Sequence, residues 1–230
     1  MIEFMGVALR YHYDEFELLK GVDFTLREGV NTVIADTQSG KSSICKLLCK
    51  EVAASSGEIT VDGLKISSIT SADLGILYLP SAPVFFENRS VAFNVEYPLK
   101  VRKIAKNERR KRVEQVAEAL KIDFLDAKVK KLTAEQRKLT ALARGLTVKR
   151  KIVLFDDFFE VEDGKNPLDS VENVLKLFDG AICVILTSDK RLARGNTVVL
   201  DGGVTVFEGD AEAAKSVVDG LHWLYGSIEE

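Results

Sequence analysis

The segment Ala35-Asp36-Thr37-Gln38-Ser39-Gly40-Lys41-Ser42-Ser43 constrains the fold of this chain more than any other. It keeps the Gly-Lys-Ser end of the phosphate-binding pattern G-x-x-x-x-G-K-[ST], although Ala35 stands at the position of the first glycine. Before it, Asn31–Ala35 form a short apolar and β-branched run that is typical of a buried strand. After it, apolar residues recur at helical spacing: Ile44, Leu47, Leu48 and Val52. Strand, loop and helix in this order predict a phosphate site at the N-terminus of a helix.

The residues of this loop have distinct expected roles. Backbone N–H groups and the positive end of the helix hold phosphate oxygens in such loops. Lys41 is expected to reach the β- and γ-phosphates, and the Ser42 hydroxyl is expected to bind Mg²⁺. Ser39, Gly40 and Ser43 complete the predicted binding segment. The alternative is an ordinary solvated turn that precedes a helix.

The length, charge and residue content of the chain argue against several classes of function. The chain of 230 residues is long enough for one sizeable core, with or without a smaller subdomain. A net charge of −3 gives no reason to expect nucleic-acid binding. We see neither an apolar run long enough to cross a bilayer nor a secretory signal, so we expect a cytoplasmic protein. Three cysteines without C-x-x-C spacing and two histidines argue against a metal cluster and against histidine-based catalysis.

The pattern of the chain predicts its organisation. Gly57–Gly63 alternates between apolar and polar residues and has a glycine at each end, as a hairpin does. From about residue 82 to 147 the sequence is rich in Lys, Arg, Glu and Ala, with helical spacing clearest in Asn107–Leu120. β character then returns in three runs: Lys151–Phe155, Ala181–Leu186 and Thr197–Leu200. Strands separated by helices predict a parallel sheet with helices on both faces.

Several landmarks occur in an order that resembles one family. They are the hairpin Gly57–Gly63 (G-x-I-x-x-D-G), Val91–Lys100 (VAFNVEYPLK), Lys131–Gln136 (KLTAEQ), Ala141–Leu146 (ALARGL), Ile152–Asp156 (IVLFD), Pro167–Asp169 (PLD) and Ile185–Asp189 (ILTSD). Together with the loop, over roughly residues 1 to 210, they resemble the ATP-binding subunit of ABC transporters. Each landmark alone is a weak signal, and their common order makes the resemblance specific.

The resemblance implies a fold and a set of partners. The expected fold is α/β, with a mainly parallel sheet of the P-loop NTPase type, an N-terminal antiparallel β subdomain and an inserted α-helical subdomain. Residues 1–230 would form one domain, in which 1–81 and 148–230 make the ATP-binding core and 82–147 the helical subdomain. The implied ligands are ATP and Mg²⁺. The implied partners are a second ABC ATP-binding subunit, in a homo- or heterodimer, and membrane-embedded transport subunits on the cytoplasmic face of a membrane.

The resemblance also implies roles for residues outside the loop. Tyr11, with Tyr13 in reserve, would stack on adenine, although a strand aromatic packed in the core explains it as well. Asp156 would support the Mg²⁺ shell at the end of its strand. Asp157 stands where the family places a catalytic glutamate and is one methylene shorter, which weakens it as a base.

Further departures from the family pattern lie at the sites that sense the γ-phosphate. Ser188 stands at the switch histidine, and Ser81 stands at the glutamine of the Q-loop. The residues at the family signature, which would face the ATP of the partner subunit, are Thr133, Ala134, Glu135 and Gln136. Glu135 places a carboxylate where a glycine is expected, and a carboxylate repels phosphate.

These departures leave two functional hypotheses. The first is a degenerate ATP-binding subunit that binds Mg-ATP and hydrolyses it slowly or not at all. The alternative is a non-catalytic scaffold or regulatory module of the same fold that does not bind ATP. Under both, Val84–Leu99 would contact partners through Phe85, Phe86, Phe93 and Tyr97, unless these aromatic residues fill the core of the subdomain. A P-loop kinase or GTPase leaves the LTAEQ and LARGL segments unexplained.

Overall fold

A computed structural model describes residues 1–11, 17–36, 39–159 and 171–221. The strands are β1 (Ile2–Arg10), β2 (Glu17–Leu26), β3 (Gly29–Ala35), β4 (Ser56–Val61), β5 (Leu64–Lys65), β6 (Ile76–Pro80), β7 (Ile152–Asp156), β8 (Ile182–Thr187), β9 (Asn196–Asp201) and β10 (Val204–Asp210). The helices are α1 (Lys41–Leu48), α2 (Ser71–Leu74), α3 (Val91–Val101), α4 (Lys106–Ala119), α5 (Ala134–Leu146), α6 (Val171–Lys176) and α7 (Ala211–Gly220).

Two sheets organise the described residues. The larger has six strands in the order β10-β9-β3-β8-β7-β6, and all neighbours are parallel except the antiparallel pair β9–β10. The smaller has four antiparallel strands in the order β2-β1-β4-β5. The predicted fold class, with its mainly parallel sheet and N-terminal antiparallel sheet, is confirmed.

The central strands of the larger sheet, β3, β7 and β8, are buried on both faces, because their alternate residues enter two different cores. In β7, Ile152 and Leu154 join a core shared with α1 and the antiparallel sheet. Val153 and Phe155 of the same strand join a second core, to which α4, α5 and α6 contribute. This alternation decides which side chains at the strand ends face α1.

The predicted elements agree with the structure except at their ends. The three late strands begin and end one residue from their predicted bounds. Helix α1 ends at Leu48, so the apolar spacing that extends to Val52 does not mark helix along its whole length. The helical spacing predicted over Asn107–Leu120 is confirmed by α4, in which Val113 and Ala117 are buried.

The aromatic residues of the 84–99 segment divide between core and surface. Phe85 is 8% exposed and belongs to the second core, as the alternative of a core role expects. Phe86 and Tyr97 are 44% and 39% exposed, and Phe93 is partly buried between them and the helix. None of the helices in the described ranges combines the length and the apolar character that a bilayer span requires.

Candidate nucleotide site

The parallel register brings the ends of four strands to one edge of the large sheet. Pro80 at the end of β6 pairs with Asp156 at the end of β7. Asp156 in turn pairs with Leu186 of β8, and Ile34 of β3 pairs with Thr187 of β8. The residues that follow these strands therefore lie at one edge, where ligands bind in open α/β sheets.

The loop after β3 enters α1 through a glycine that the geometry requires. Gly40 caps α1 with φ = 92°, a left-handed conformation that residues with a Cβ rarely adopt. A Cβ added at this position would lie 2.8 Å from Cδ2 of Leu19. The carbonyl of Gly40 accepts hydrogen bonds from the N–H groups of Ser43 and Ile44, both at 3.0 Å, which form the first turn of the helix.

Lys41, the first residue of α1, is buried even though its side chain carries a charge. It is 7% exposed, and its Nζ donates to the carbonyl oxygens of Ala35 at 2.9 Å and of Asp36 at 3.0 Å. Burial lowers the pKa of Lys41, and the carboxylates of Asp157, Asp156 and Asp36 oppose this shift. The nearby acidic side chains thus help to keep a buried ammonium charged.

The other predicted residues of the loop and the adenine position lie around the start of α1. Ser42 is exposed in the first turn, whereas Ser43 is buried. The hydroxyl groups of Tyr11 and Ser43 are 3.2 Å apart and share a hydrogen bond. The Nζ of Lys46 lies 5.6 Å from the centroid of the Tyr11 ring. Tyr11 therefore lies beside the phosphate loop, and its role in adenine binding stays a prediction.

Asp156 ends β7 as a buried carboxylate with a single hydrogen-bond donor among the described residues. It is 5% exposed, and its Oδ2 accepts a hydrogen bond of 2.8 Å from the hydroxyl of Tyr78. Its Oδ1 is buried and has no partner in the described structure. Burial and the hydrogen bond to Asp156 raise the pKa of Tyr78 well above its usual value, so this phenol remains a donor.

Asp157 and Ser188, two of the predicted catalytic positions, are brought together. The backbone N–H of Ser188 lies close enough to the carboxylate of Asp157 to stabilise its charged form, and the backbone N–H of Asp157 donates a hydrogen bond to the carbonyl of Leu186 at 2.9 Å. Asp157 has φ = 44°, which aspartate tolerates better than most residues. Burial raises the pKa of Asp157, Lys41 opposes the shift, Asp156 adds to it, and the Ser188 N–H opposes it.

Ser81 lies at the same sheet edge, whereas the signature residues lie at the start of α5. Ser81 is exposed immediately after β6. Thr133 is the N-cap of α5: its side chain accepts from the N–H of Gln136, whose side chain accepts from the N–H of Thr133. Ala134 and Glu135 are exposed in the first turn. The capping box is a feature that the T-x-x-Q spacing could have shown.

The segment after β6 is tied to the signature helix by two arginines. Arg137 of α5 forms a bidentate ion pair with Glu87, with distances of 2.6 and 3.0 Å. Arg144 donates to the carbonyl of Val84 at 2.8 Å and lies 4.6 Å from the centroid of the Phe85 ring. These contacts join the end of β6 to α5 and explain why Phe85 is buried.

Tyr78 is the residue at this edge that the sequence analysis missed. Strand alternation could have indicated it, because Ile76 and Tyr78 pack on the core shared with α1 while Leu77 and Leu79 face the other core. Gln38, Tyr13 and the segment Pro167–Asp169 lie outside the described residues.

The residues present fit a Mg²⁺-bound phosphate group. The described part of the chain has no cluster of three metal-binding side chains, and Mg²⁺ in nucleotide sites takes most of its oxygen ligands from phosphate and water. A buried carboxylate oxygen without a donor, an exposed serine hydroxyl and a lysine at a helix N-terminus supply the protein groups that such a site needs.

The parallel sheet and the strand–loop–helix unit define the P-loop class of nucleotide-binding folds. The chain belongs to the ABC transporter family, because the family profile described as "ABC transporter" matches residues 19–160.

Curated relatives and a solved structure are similar to this chain. It is 27% identical over 203 residues to an sn-glycerol-3-phosphate import ATP-binding protein, UgpC 1, of Rhizobium johnstonii, covering 85% of this chain and 55% of the relative. It is 31% identical over 149 residues to the molybdate/tungstate import ATP-binding protein WtpC of Pyrococcus horikoshii, covering 64% and 43%. The chain thus spans about half the length of these relatives.

The structural comparison supports the fold alone. The chain superposes with a TM-score of 0.78 and 22% identity on a bacterial Atm1-family ABC exporter with ATP bound, over 94% of this chain and 40% of the exporter chain.

Proposed function

We propose that this chain is an ATP-binding subunit of an ABC transporter that binds Mg-ATP but hydrolyses it slowly or not at all. The observation that carries binding is the meeting of Lys41, the N-terminus of α1 and the unpartnered Oδ1 of Asp156 at one sheet edge. A helix N-terminus and an ammonium favour phosphate, and a free carboxylate oxygen favours the metal shell.

Weak catalysis is proposed from the residues beside the binding groups. The carboxylate that would act as the base, Asp157, is one methylene shorter than glutamate. Burial raises the pKa of Asp157, whereas the nearby backbone N–H of Ser188 lowers that pKa and so its basicity. The side chains of Ser188 and Ser81 are also shorter than histidine and glutamine. A displacement of about 1 Å in a catalytic group can cost roughly 10²-fold in rate, and here three positions have shortened together.

The partners are proposed from exposed apolar surface and from the relatives. The docking surface, defined by Phe86, Phe93 and Tyr97, is an aromatic cluster in which the Phe86 and Tyr97 ring centroids are 4.7 Å apart. Relatives named as import ATP-binding proteins support a subunit that joins a second ATP-binding subunit and membrane-embedded transport subunits, at the cytoplasmic face of a membrane.

The alternative of a scaffold that does not bind ATP has one observation in its favour. Glu135 exposes a carboxylate in the first turn of α5, where the ATP of a partner subunit would approach. Like charges repel, so this surface would disfavour a closed dimer that holds ATP between two subunits.

Calorimetric titration of ATP with and without Mg²⁺ separates the two proposals. Wild-type protein is expected to bind ATP more tightly with Mg²⁺. Lys41→Ala should weaken binding about 100-fold, because hydrogen bonds to a charged group contribute about 1.5–3 kcal/mol each. Lys176→Ala, which removes an exposed lysine of α6, is the matched control and should bind as wild type does. Absence of ATP binding to the wild type would support the scaffold.

A further inference from the structure

The contact between Tyr78 and Asp156 links two neighbouring strands at the candidate nucleotide site. Tyr78 pairs with Leu154 in the parallel register, and Asp156 lies two residues further along β7 on the same face. This diagonal arrangement is within reach of a long aromatic side chain. The result is a hydrogen bond of 2.8 Å from the phenol to Oδ2.

This hydrogen bond gives the two carboxylate oxygens different roles. Oδ2 accepts the hydrogen bond from Tyr78, which restricts rotation of the Asp156 side chain. Oδ1 is buried without a partner among the described residues. A buried acceptor that stays unpaired costs free energy of folding. We therefore expect a ligand, or water bound to a ligand, to interact with Oδ1.

The chemical nature of the donor matters as much as its position. An arginine or lysine at this place would neutralise the carboxylate, whereas the phenol of Tyr78 orients it and leaves its negative charge available. The nearby ammonium of Lys41 is hydrogen-bonded to the carbonyls of Ala35 and Asp36. Asp156 is thus held by a neutral donor in a buried place, as metal-binding carboxylates commonly are.

We propose that Tyr78 is a positioning residue that holds Asp156 with Oδ1 directed to the Mg²⁺ shell of the bound nucleotide. The inference rests on the proposed binding of Mg-ATP. It adds a residue that sets how strongly Mg²⁺ increases the affinity for ATP. When bound, Mg²⁺ supplies positive charge to the phosphates. Tyr78 acts on the metal only through Asp156.

The test compares the affinity for ATP in EDTA with the affinity across a Mg²⁺ series, for the wild type and Tyr78→Phe. The variant keeps the ring and loses only the hydroxyl. We expect the gain in ATP affinity produced by Mg²⁺ to fall about tenfold, as is common when a hydrogen-bond partner of a metal ligand is removed. The affinity in EDTA should stay unchanged. Asp156→Asn should give a similar loss, and the double variant should lose little more than either single one.

A control separates positioning from general destabilisation. Thr32→Val removes another buried hydroxyl of the same sheet, which donates to the carbonyl of Arg194 at 2.8 Å. It should lower thermal stability and leave the Mg²⁺ dependence at the wild-type value. Tyr78→Met, which fills the space with an unbranched apolar chain, replaces Tyr78→Phe if that variant does not fold.

The possible outcomes are distinct. If the phenylalanine variant keeps the wild-type Mg²⁺ dependence, or if its affinity falls equally in EDTA and in Mg²⁺, the positioning role is overturned while the proposed function stands. If wild-type protein shows no Mg²⁺-dependent binding, the proposed function fails and this inference fails with it. A selective loss of the Mg²⁺ contribution supports the proposal.

Discussion

The ammonium nitrogen of Lys41 lies 2.9 Å from the carbonyl oxygen of Ala35 and donates a hydrogen bond to it. Ala35 continues β3, is buried in the core shared with α1, and is not among the described residues with positive φ. Alanine at the first position of the loop is therefore accommodated without backbone strain. The missing glycine therefore introduces no strain at this position, and the substitutions that we propose limit catalysis lie at the neighbouring strand ends.

Gly40 is the glycine of the loop that cannot be replaced at low cost. In Gly40→Ala the new Cβ would be held at a positive φ and would approach Leu19 to 2.8 Å. Positive φ costs an alanine about 1–2 kcal/mol, and the contact adds to that cost. We expect a lower free energy of unfolding in urea and weaker ATP binding.

Gly29→Ala is the matched control for this variant. Gly29 has φ = 85°, and a Cβ there would meet no atom within 4 Å. It should show the cost of positive φ alone, with nucleotide binding retained. Equal losses of stability in the two variants would contradict the role of the contact with Leu19.

Asp189 forms an ion pair with Arg191 directly after Ser188, the predicted switch position. Its carboxylate accepts hydrogen bonds from the backbone and the guanidinium of Arg191, at 2.7 to 3.0 Å, and these hydrogen bonds lower the pKa of Asp189. A depressed pKa in the folded state stabilises the protein above the unfolded-state pKa, and this contribution is lost as pH falls through the folded-state value.

We therefore expect Asp189→Asn to lower the free energy of unfolding at neutral pH by up to about 1 kcal/mol, as partly exposed ion pairs do. The difference from wild type should shrink as the pH falls below the usual range of an aspartate. Urea unfolding at a series of pH values measures it. A difference that stays constant from neutral to strongly acidic pH would show that the ion pair is not its source.

The docking surface makes a prediction about assembly. Phe86→Ser removes a 44% exposed aromatic side chain and should reduce recovery of the membrane-embedded subunits with the tagged chain, while Mg-ATP affinity stays the same. Val206→Ser on β10 removes a side chain of similar exposure, 43%, from another surface. Equal recovery in both variants would place the interface elsewhere.

The fold could be predicted because its signals are periodic and local. Alternation in Gly57–Gly63, the strand–loop–helix order around Lys41 and the return of β character after residue 151 all survive in the structure. The end of α1 at Leu48 was not readable, because Val52 continues the apolar spacing after the helix has ended.

The site was harder to read, because its key contacts join residues far apart in sequence. Tyr78 and Asp156 are separated by 78 positions, and alternation in β6 indicates the face on which Tyr78 lies but not its contact with Asp156. The choice between core and surface for Phe85 stayed open for the same reason, since the arginines that cover it, Arg137 and Arg144, come from α5. Both contacts depend on the packing of distant elements.

A single-turnover measurement with radiolabelled ATP, excess protein and Mg²⁺ tests the central claim most directly, since one sample reports both bound and cleaved nucleotide. We expect ATP to be retained on the protein and to remain largely uncleaved, and Lys41→Ala to retain far less ATP at the same protein concentration. Rapid conversion of bound ATP to ADP would contradict the proposed loss of catalysis, and the absence of bound nucleotide would contradict the proposed binding.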